Sequence, residues 1–463
     1  MPDKHCIIIP FPLGCSAGTA ESRVAAHCLR LAHWLQSTGQ VVTVLQATDG
    51  EDLNLADETT RLPLPASVSP PVVWPPCSQT IVSQRVADFL AQHTFDYVHF
   101  QDWLGNGFVP LQLRRTLGLP GDPIATVTVH GGTERALESA GRFGDGSLAH
   151  LLAEYGERYS VLHADIAILP AEVTETWISQ HDWKLPARKV SLPLLEESST
   201  ADTEKLWAEW LASVVRERRS SFTSVRSPSQ TDARVTVCIA HYNHGAYLPE
   251  CLASLAAQTT QEFDLVIVDD GSPDEASSRV FDEMQTAYSP RGWQFVRQKN
   301  GGASRARNHA TEHVKTDYIL FVDSDNVAKP DMVETLLTAA KRSGLDVVTC
   351  YFHVFEDGTE PLEENIVSEC HPAGACEEAG MLTNVFGDTN FIIRTEVFRA
   401  MGGFRYDLSC SFEDWEFLAE LVLSGRTLDV LPRSLFYYRH LVNSFSRRES
   451  ARENHLRALR AYT

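Results

Sequence analysis

Residues 235–272 read VTVCIAHYNHGAYLPECLASLAAQTTQEFDLVIVDDGS, and this stretch decides the fold. An apolar run, Val235–Ala240, ends in His241-Tyr242-Asn243. A helix is predicted around Leu248–Gln258, and a second apolar run, Leu265–Val268, ends in Asp269-Asp270-Gly271-Ser272. Strand, helix and strand in succession imply parallel neighbours in an α/β sheet. Ligands of open parallel sheets gather beyond the carboxyl ends of the strands, so both strand ends point at one crevice. A carboxylate there can accept a hydrogen bond from a base or a ribose hydroxyl. The plainer alternative is that Asp269 and Asp270 cap a turn with Gly271.

Working outward, a third strand, Tyr318–Val322, ends in Asp323-Ser324-Asp325-Asn326. Two acids at i and i+2 beyond a strand can share one cation, and hard oxygen ligands suit Mg²⁺ or Mn²⁺. Such a cation offsets the charge that builds on a departing diphosphate. Between these strands lies Gly301-Gly302-Ala303-Ser304-Arg305-Ala306-Arg307-Asn308. Glycines opening a helix expose backbone N–H groups, and nearby arginines favour an anion. Further on, Gly402-Gly403-Phe404 precedes Phe412-Glu413-Asp414-Trp415, at the start of an apolar-periodic helix over Trp415–Leu423. Acids in a first helical turn are also ordinary partners of the helix dipole.

The rest of the chain sets the frame. At 463 residues it has room for two to four domains of roughly 100–200 residues. Forty Lys and Arg against 61 Asp and Glu give a net charge of −21. That balance argues against a nucleic-acid partner, which needs a basic face, and against anionic membrane surfaces. No apolar run approaches the ~18–20 residues of a membrane helix, so no transmembrane segment is expected. The ten cysteines are scattered without a CxxC, and Cys370-His371 with Cys376 fits no common zinc spacing. Reduced thiols and a cytoplasmic location are expected.

In the first half, strands are predicted at Cys6–Ile9, Val41–Leu45, Tyr97–Phe100, Ile124–Val129 and Ile166–Leu169. The first is followed by a small-residue turn, Gly14–Gly18, and a helix over Glu21–Ser37 that Gly39 ends. Residues 200–217 read as a polar helix and 219–233 as a Ser/Thr-rich linker. The expected layout is an α/β domain over 1–198, a helix and linker over 199–233, and a second α/β domain over 234–463.

Together, VTVCIAHYN, IVDDGS, GGASRARN, LFVDSDN, MGGFR and FEDWEF, in this order, resemble the inverting family 2 glycosyltransferases of the GT-A fold. The resemblance covers roughly Val235 to Arg448. It implies a mixed, mainly parallel sheet and transfer of a sugar from a nucleotide-diphosphate sugar, UDP favoured, to an acceptor hydroxyl with inversion. Ala240 and Tyr242 then lie where the nucleobase packs. Asp270 matches the acid that reads the base, with Asp269 beside it, and Arg307 joins the donor side. Asp323 and Asp325 match the ribose and metal acids, Asp325 being the direct ligand of a divalent Mn or Mg ion. Asp414 matches the catalytic base, flanked on the acceptor side by Glu413 and Trp415. Asp388 matches a position near the donor sugar or acceptor. His440, in Tyr438-Arg439-His440, falls in a segment that can close over diphosphate and metal. The Gln-x-x-Arg-Trp signature of processive members is absent, which puts polymer synthesis in doubt.

Residues 1–198 resemble the N-terminal Rossmann-like domain of family 4 GT-B glycosyltransferases. The carriers are Gly14–Gly18, Asp96–Trp103, Thr126–Gly132 and His163-Ala164-Asp165. The resemblance makes His99, Asp102 and His130 acceptor-site candidates, against the reading of all three as hydrogen-bonded turn residues. No donor-binding GT-B partner domain follows residue 200. The first half is then an acceptor-binding module, a non-catalytic glycan-binding or scaffold module, or one part of a longer multi-domain glycosyltransferase. A sugar nucleotidyltransferase would carry a Gly-rich basic loop where Ala240–His244 stands. The resemblance implies a glycan, lipid-linked or protein acceptor in polysaccharide or glycoconjugate synthesis, with the protein held at the inner membrane through its acceptor or partners.

Overall fold

Runs of β-branched residues without polar alternation need apolar cover on both faces. In the computed structural model of this chain such runs form the central strands of two sheets. The structure describes residues 2–10, 20–47, 59–61, 72–75, 77–170, 175–196, 199–221, 233–407, 411–441 and 450–463. The expected Gly14–Gly18 turn and the linker residues 222–232 lie outside these.

The chain divides into two units, Met1–Val68 with Cys77–Ser227, and Ser69–Pro76 with Pro228–Thr463. The first unit contains β1 (Lys4–Ile9), β2 (Val41–Gln46) and β3 (Thr59–Arg61). The short β4 (Val72–Trp74) belongs to the second unit, and the first resumes with β5 (Tyr97–Gln101), β6 (Ile124–Thr128), β7 (Ile166–Leu169) and β8 (Lys189–Ser191). Its sheet is seven-stranded and parallel, in the order β3-β2-β1-β5-β6-β7-β8. The five predicted strands are all present. The polar helix is also present, over Ala201–Ser221, but it is not a free connector. Trp207, Trp210, Leu211 and Val214 join the same apolar core as β1 and the helix Ala20–Ser37. The Trp207 indole is fully buried and donates to the Pro193 carbonyl at 2.9 Å.

The second unit continues with β9 (Val235–His241), β10 (Phe263–Asp269), β11 (Gln294–Arg297), β12 (Tyr318–Asp323) and β13 (Val327–Ala328). Then come β14 (Val347–Glu356), β15 (Ile366–Cys370), β16 (Ile392–Arg394) and β17 (Leu428–His440). The ten-stranded sheet runs β11-β10-β9-β12-β16-β14-β15-β4, with β17 pairing β13 and β14. β9, β10, β11 and β12 are mutually parallel, as the apolar runs imply. β16 and then β14 join antiparallel, which makes the sheet mixed. An apolar core containing Cys238, Val266, Phe321, Phe391, Phe404 and Phe417 fills the space between the sheet and its helices. The parallel strands therefore end side by side, and the polar residues just past them share one opening.

Candidate functional site

A cavity of about 710 Å³ opens at these strand ends, within the range of small-molecule sites. From β9 it is lined by Ala240 and Tyr242, from β10 by Asp270, and from β12 by Asp323 and Asp325. Arg307, Asp388, Glu413, Asp414 and Trp415 line it as well.

Asp270 is 2% exposed, and its carboxylate is held by the loop before the helix Ala303–Glu312. Gln298 Nε2 and the Gly301 N–H donate to Oδ1 at 2.6 and 2.9 Å, and the Gly302 N–H donates to Oδ2 at 2.8 Å. A carboxylate has about four acceptor sites, so one remains for a ligand. The loop approaches closely because position 271 is glycine. Its φ is +67°, and a Cβ there would meet the Asn300 nitrogen and the Gln298 oxygen at 2.9 Å. Asp269 does not face the cavity. Its Oδ1 accepts from the Ser272 hydroxyl at 2.6 Å, and its Oδ2 pairs with Arg297 at 3.5 Å. It fixes the turn beside Asp270.

Arg307 joins the third strand to the Glu-Asp helix. Its Nη2 donates to Asp323 Oδ1 at 2.7 Å, and its Nη1 donates to Glu413 Oε1. Burial opposes the guanidinium charge, yet the two acids outweigh it and hold the group firmly protonated. In return Arg307 is the main influence keeping the buried Glu413 carboxyl below its ordinary range. Glu413 is thus an ion-pair partner and not an open acceptor contact. Trp415 is 4% exposed, and its indole N–H donates to the Gly380 carbonyl at 2.8 Å, which ties it into the wall.

Among the described residues, Asp414 makes no ion pair as close as that of Glu413 with Arg307. Burial, then the neighbouring Glu413, push its pKa up from 3.8 to about 7. The Asn384 amide donates to its Oδ2 at 3.3 Å and orients it. Asp388 is raised to about 8 by burial and by Asp323 and Asp414. Its Oδ1 accepts from the Asn390 side chain, whose Oδ1 accepts from the Asp323 N–H at 3.2 Å. Asp325 is raised by burial and by Asp323, with His244 opposing at 3.7 Å. Asp325, Asp388 and Asp414, each raised by burial and in part by the Asp323 charge, make this a pocket of negative potential.

Among the described residues, no three His, Cys, Asp or Glu are grouped to hold a cation by themselves. Mg²⁺-type sites commonly use one or two carboxylates with the substrate's phosphates supplying the rest. Asp325, a buried oxygen donor raised by burial and by the Asp323 charge, and Asp323 beside it fit that kind of site. His440 is not among the residues that line the cavity, although Tyr438 and Leu441 are. In register it faces Glu356 across β14 and β17, and its Nδ1 lies 2.9 Å from Glu356 Oε2. The sequence did not point to His244, which sits 3.7 Å from Asp325, or to Arg439. Arg439 is 5% exposed and holds the metal-acid turn, donating from Nε to the Asp325 carbonyl at 3.1 Å. Nor did it point to Arg457, from the helix Ala451–Ala458, which pairs with Glu416 at 2.8 Å behind the Glu-Asp pair.

The three first-half candidates are internal to the first unit. His99 is 2% exposed, between His5 at 3.0 Å and Thr126 at 2.8 Å, and burial keeps it neutral well below its ordinary range. Asp102 Oδ2 accepts the His130 and Gly131 N–H groups at 2.9 and 2.8 Å. The His130 ring meets Gln101 Oε1 at 2.8 Å, and burial lowers its pKa to about 3. These side chains fasten the ends of β5 and β6 to each other.

Residues 236–402 match the family model of glycosyl transferase family 2, and residues 24–193 match that of the glycosyl transferase 4-like domain. The chain therefore carries a family 2 glycosyltransferase domain behind a 4-like domain. It is 26% identical over 227 residues to the glycosyltransferase GlyA of Streptococcus pneumoniae, covering 47% of this chain and 32% of that one. It is 27% identical to the uncharacterized glycosyltransferase EpsJ of Bacillus subtilis, covering 46% and 62%. It is 29% identical to a teichoic acid poly(glycerol phosphate) polymerase of Staphylococcus epidermidis, covering 44% and 28%. The chain thus spans from 28% to 62% of these relatives' lengths. Among solved structures, S. aureus TarS in complex with UDP-GlcNAc matches at 20% identity and a TM-score of 0.38, over 47% of this chain and 61% of that one. No helix among the described residues is long and apolar enough to cross a membrane.

Proposed function

We propose that the chain transfers a sugar from a nucleotide-diphosphate sugar to an acceptor hydroxyl, inverting the anomeric centre in a single displacement. The observation that carries this is Asp414, a buried carboxyl raised to about 7, in one cavity with Asp270, Asp323 and Asp325. A general base works best with a pKa near the working pH and contributes roughly 10²–10⁴-fold.

The nucleobase packs by Ala240 and Tyr242, with the remaining lone pair of Asp270 accepting from its edge. Asp323 accepts from the ribose. Asp325, with Asp323, would hold a divalent cation, Mn²⁺ or Mg²⁺, which when bound supplies positive charge against the diphosphate leaving group. Asp414 takes the proton of the acceptor hydroxyl as that oxygen attacks from the face opposite the diphosphate. Asn384 keeps the receiving oxygen aimed, and Arg307 keeps the adjacent Glu413 ionised and out of the proton transfer. The resemblance favours uridine as the base. The acceptor is a glycan, lipid-linked sugar or protein hydroxyl, met in the cytoplasm or at the inner face of the membrane. The first unit serves as scaffold or acceptor-docking module, because its best-placed polar residues are engaged with each other.

A donor screen with Mn²⁺ or Mg²⁺, reading released nucleoside diphosphate and the product's anomeric configuration by NMR, tests the reading. Release with an inverted product is expected, and full activity in chelator would remove Asp325 from its role. A retained configuration would overturn the single displacement.

A further inference from the structure

The order of the second sheet separates two ends of the cavity. Asp270 stands at the end of β10 and Asp323 at the end of β12, on the side proposed for the donor. Beyond β12 the order continues β16, β14, β15 and β4, away from β10. β4 is three residues long and parallel to β15, with Trp74 opposite Cys370. The Trp74 carbonyl accepts the His371 N–H at 2.7 Å, so the backbone under this residue is fixed. Its side chain is not tucked away. The Trp74 indole lines the cavity that holds Asp388 and Asp414 and remains 46% exposed. Tryptophan is highly buried on average, so an indole left open on a fixed strand at a cavity wall lacks a packing explanation. Trp415, the other indole of the cavity, is 4% exposed with its N–H engaged. Among the described residues, Trp74 is therefore the one of the two whose indole is substantially exposed.

We propose that Trp74 is the platform on which the ring of an acceptor sugar stacks while one of its hydroxyls is presented to Asp414. This rests on the transferase reading above. One face of a pyranose is a patch of C–H groups, apolar and slightly positive. The indole face is flat, apolar and slightly negative, and has only two rotatable bonds to immobilise. Acyclic polyols lack the flat patch, so the platform selects ring acceptors. Its strand, β4, ends the sheet order that has β10 near the other end, so the platform stands apart from the Asp270 strand proposed for the donor.

The test uses the full chain as wild type, Trp74→Ala and Trp74→Phe, with the donor chosen by the screen. The acceptor probes are methyl glycosides of glucose, galactose and N-acetylglucosamine, with glycerol as the acyclic comparison. Trp74→Ala is expected to raise KM for the preferred glycoside about tenfold, the worth of one aromatic contact. The kcat, the KM for glycerol and the calorimetric affinity for UDP stay within about twofold, and Trp74→Phe keeps most of the glycoside KM. Saturation-transfer NMR should show the glycoside ring protons contacting wild type and not Trp74→Ala. An unchanged glycoside KM, an equal rise for glycerol, or no ring contact in the wild type overturns the platform while leaving the transferase reading standing. Wild type that neither binds UDP nor releases any nucleoside diphosphate overturns both.

Discussion

Asp414→Asn examines the proposed base and its charged surroundings together. The substitution keeps the shape of the site, because the asparagine Oδ1 can accept the Asn384 amide that Asp414 Oδ2 accepts at 3.3 Å. Turnover should fall by roughly 10²–10⁴-fold while UDP affinity stays near wild type. Stability should move the other way. Burial and Glu413 raise the Asp414 carboxyl from 3.8 to about 7. A group raised on folding contributes stability that is complete below its unfolded pKa and is lost as pH rises through the folded one. At ~1.36 kcal/mol per pH unit, the interval from 3.8 to about 7 amounts to roughly 4 kcal/mol lost by pH 8, as an upper bound. At pH 5 the same reasoning gives only about 1.6 kcal/mol. Asparagine carries no such loss, so without divalent cation the variant should be more stable than wild type at pH 8, and the gap should narrow by about 2 kcal/mol at pH 5. Urea unfolding at the two pH values measures the gap, and released UDP measures turnover. Turnover within tenfold of wild type refutes the base. A gap equal at both pH values refutes the buried-charge account even if turnover collapses.

Three further outcomes follow from the site. Gly271→Ala places a Cβ 2.9 Å from the backbone of Asn300 and Gln298 at a φ of +67°. It should weaken UDP binding at least tenfold in calorimetry, because the displaced loop is the one that aims Asp270, and it should cost about 1–2 kcal/mol in urea unfolding. Arg307→Gln leaves Asp323 and Glu413 without their shared cation, so unfolding free energy should drop by about 3–5 kcal/mol, and Arg307→Lys should not restore it because one ammonium cannot span both acids. His440→Ala should leave the Mn²⁺ or Mg²⁺ concentration needed for half-maximal activity within about twofold of wild type, since Glu356 holds that imidazole away from the acids; a tenfold rise would return His440 to the metal.

The parallel strands were legible because burial on both faces writes a continuous apolar run, as in Val235–Ile239 and Tyr318–Val322. The acids beyond them were legible because the fold gathers strand ends. Asp269 and Asp270 were not distinguishable in the sequence, since a strand turns neighbours to opposite faces and the motif does not say which face is the cavity. The partner of His440, Glu356, was not legible because it is set by the register of β14 against β17, which no local pattern encodes. The polar helix over 201–221 looked like a connector because its charged residues outnumber the four apolar ones that seat it. His99, Asp102 and His130 read equally as acceptor-site candidates or as hydrogen-bonded turn residues, because their partners lie on neighbouring strands that the local sequence does not name. The pairing of β4 with β15 joins residues some three hundred positions apart and left no trace in either segment.

That pairing also bears on how the catalytic unit can be handled. Without β4, the backbone of Ile366–Cys370 would present a row of unpaired amides and carbonyls along the margin of the sheet. Such a margin is a template for a strand from another molecule. The half of the chain beginning at residue 228, expressed alone, would carry this sticky border and lose Trp74 with it. The second unit is therefore indivisible at a single cut: the strand that covers its β15 margin, Val72–Trp74, is one that the ribosome adds long before the rest of it exists.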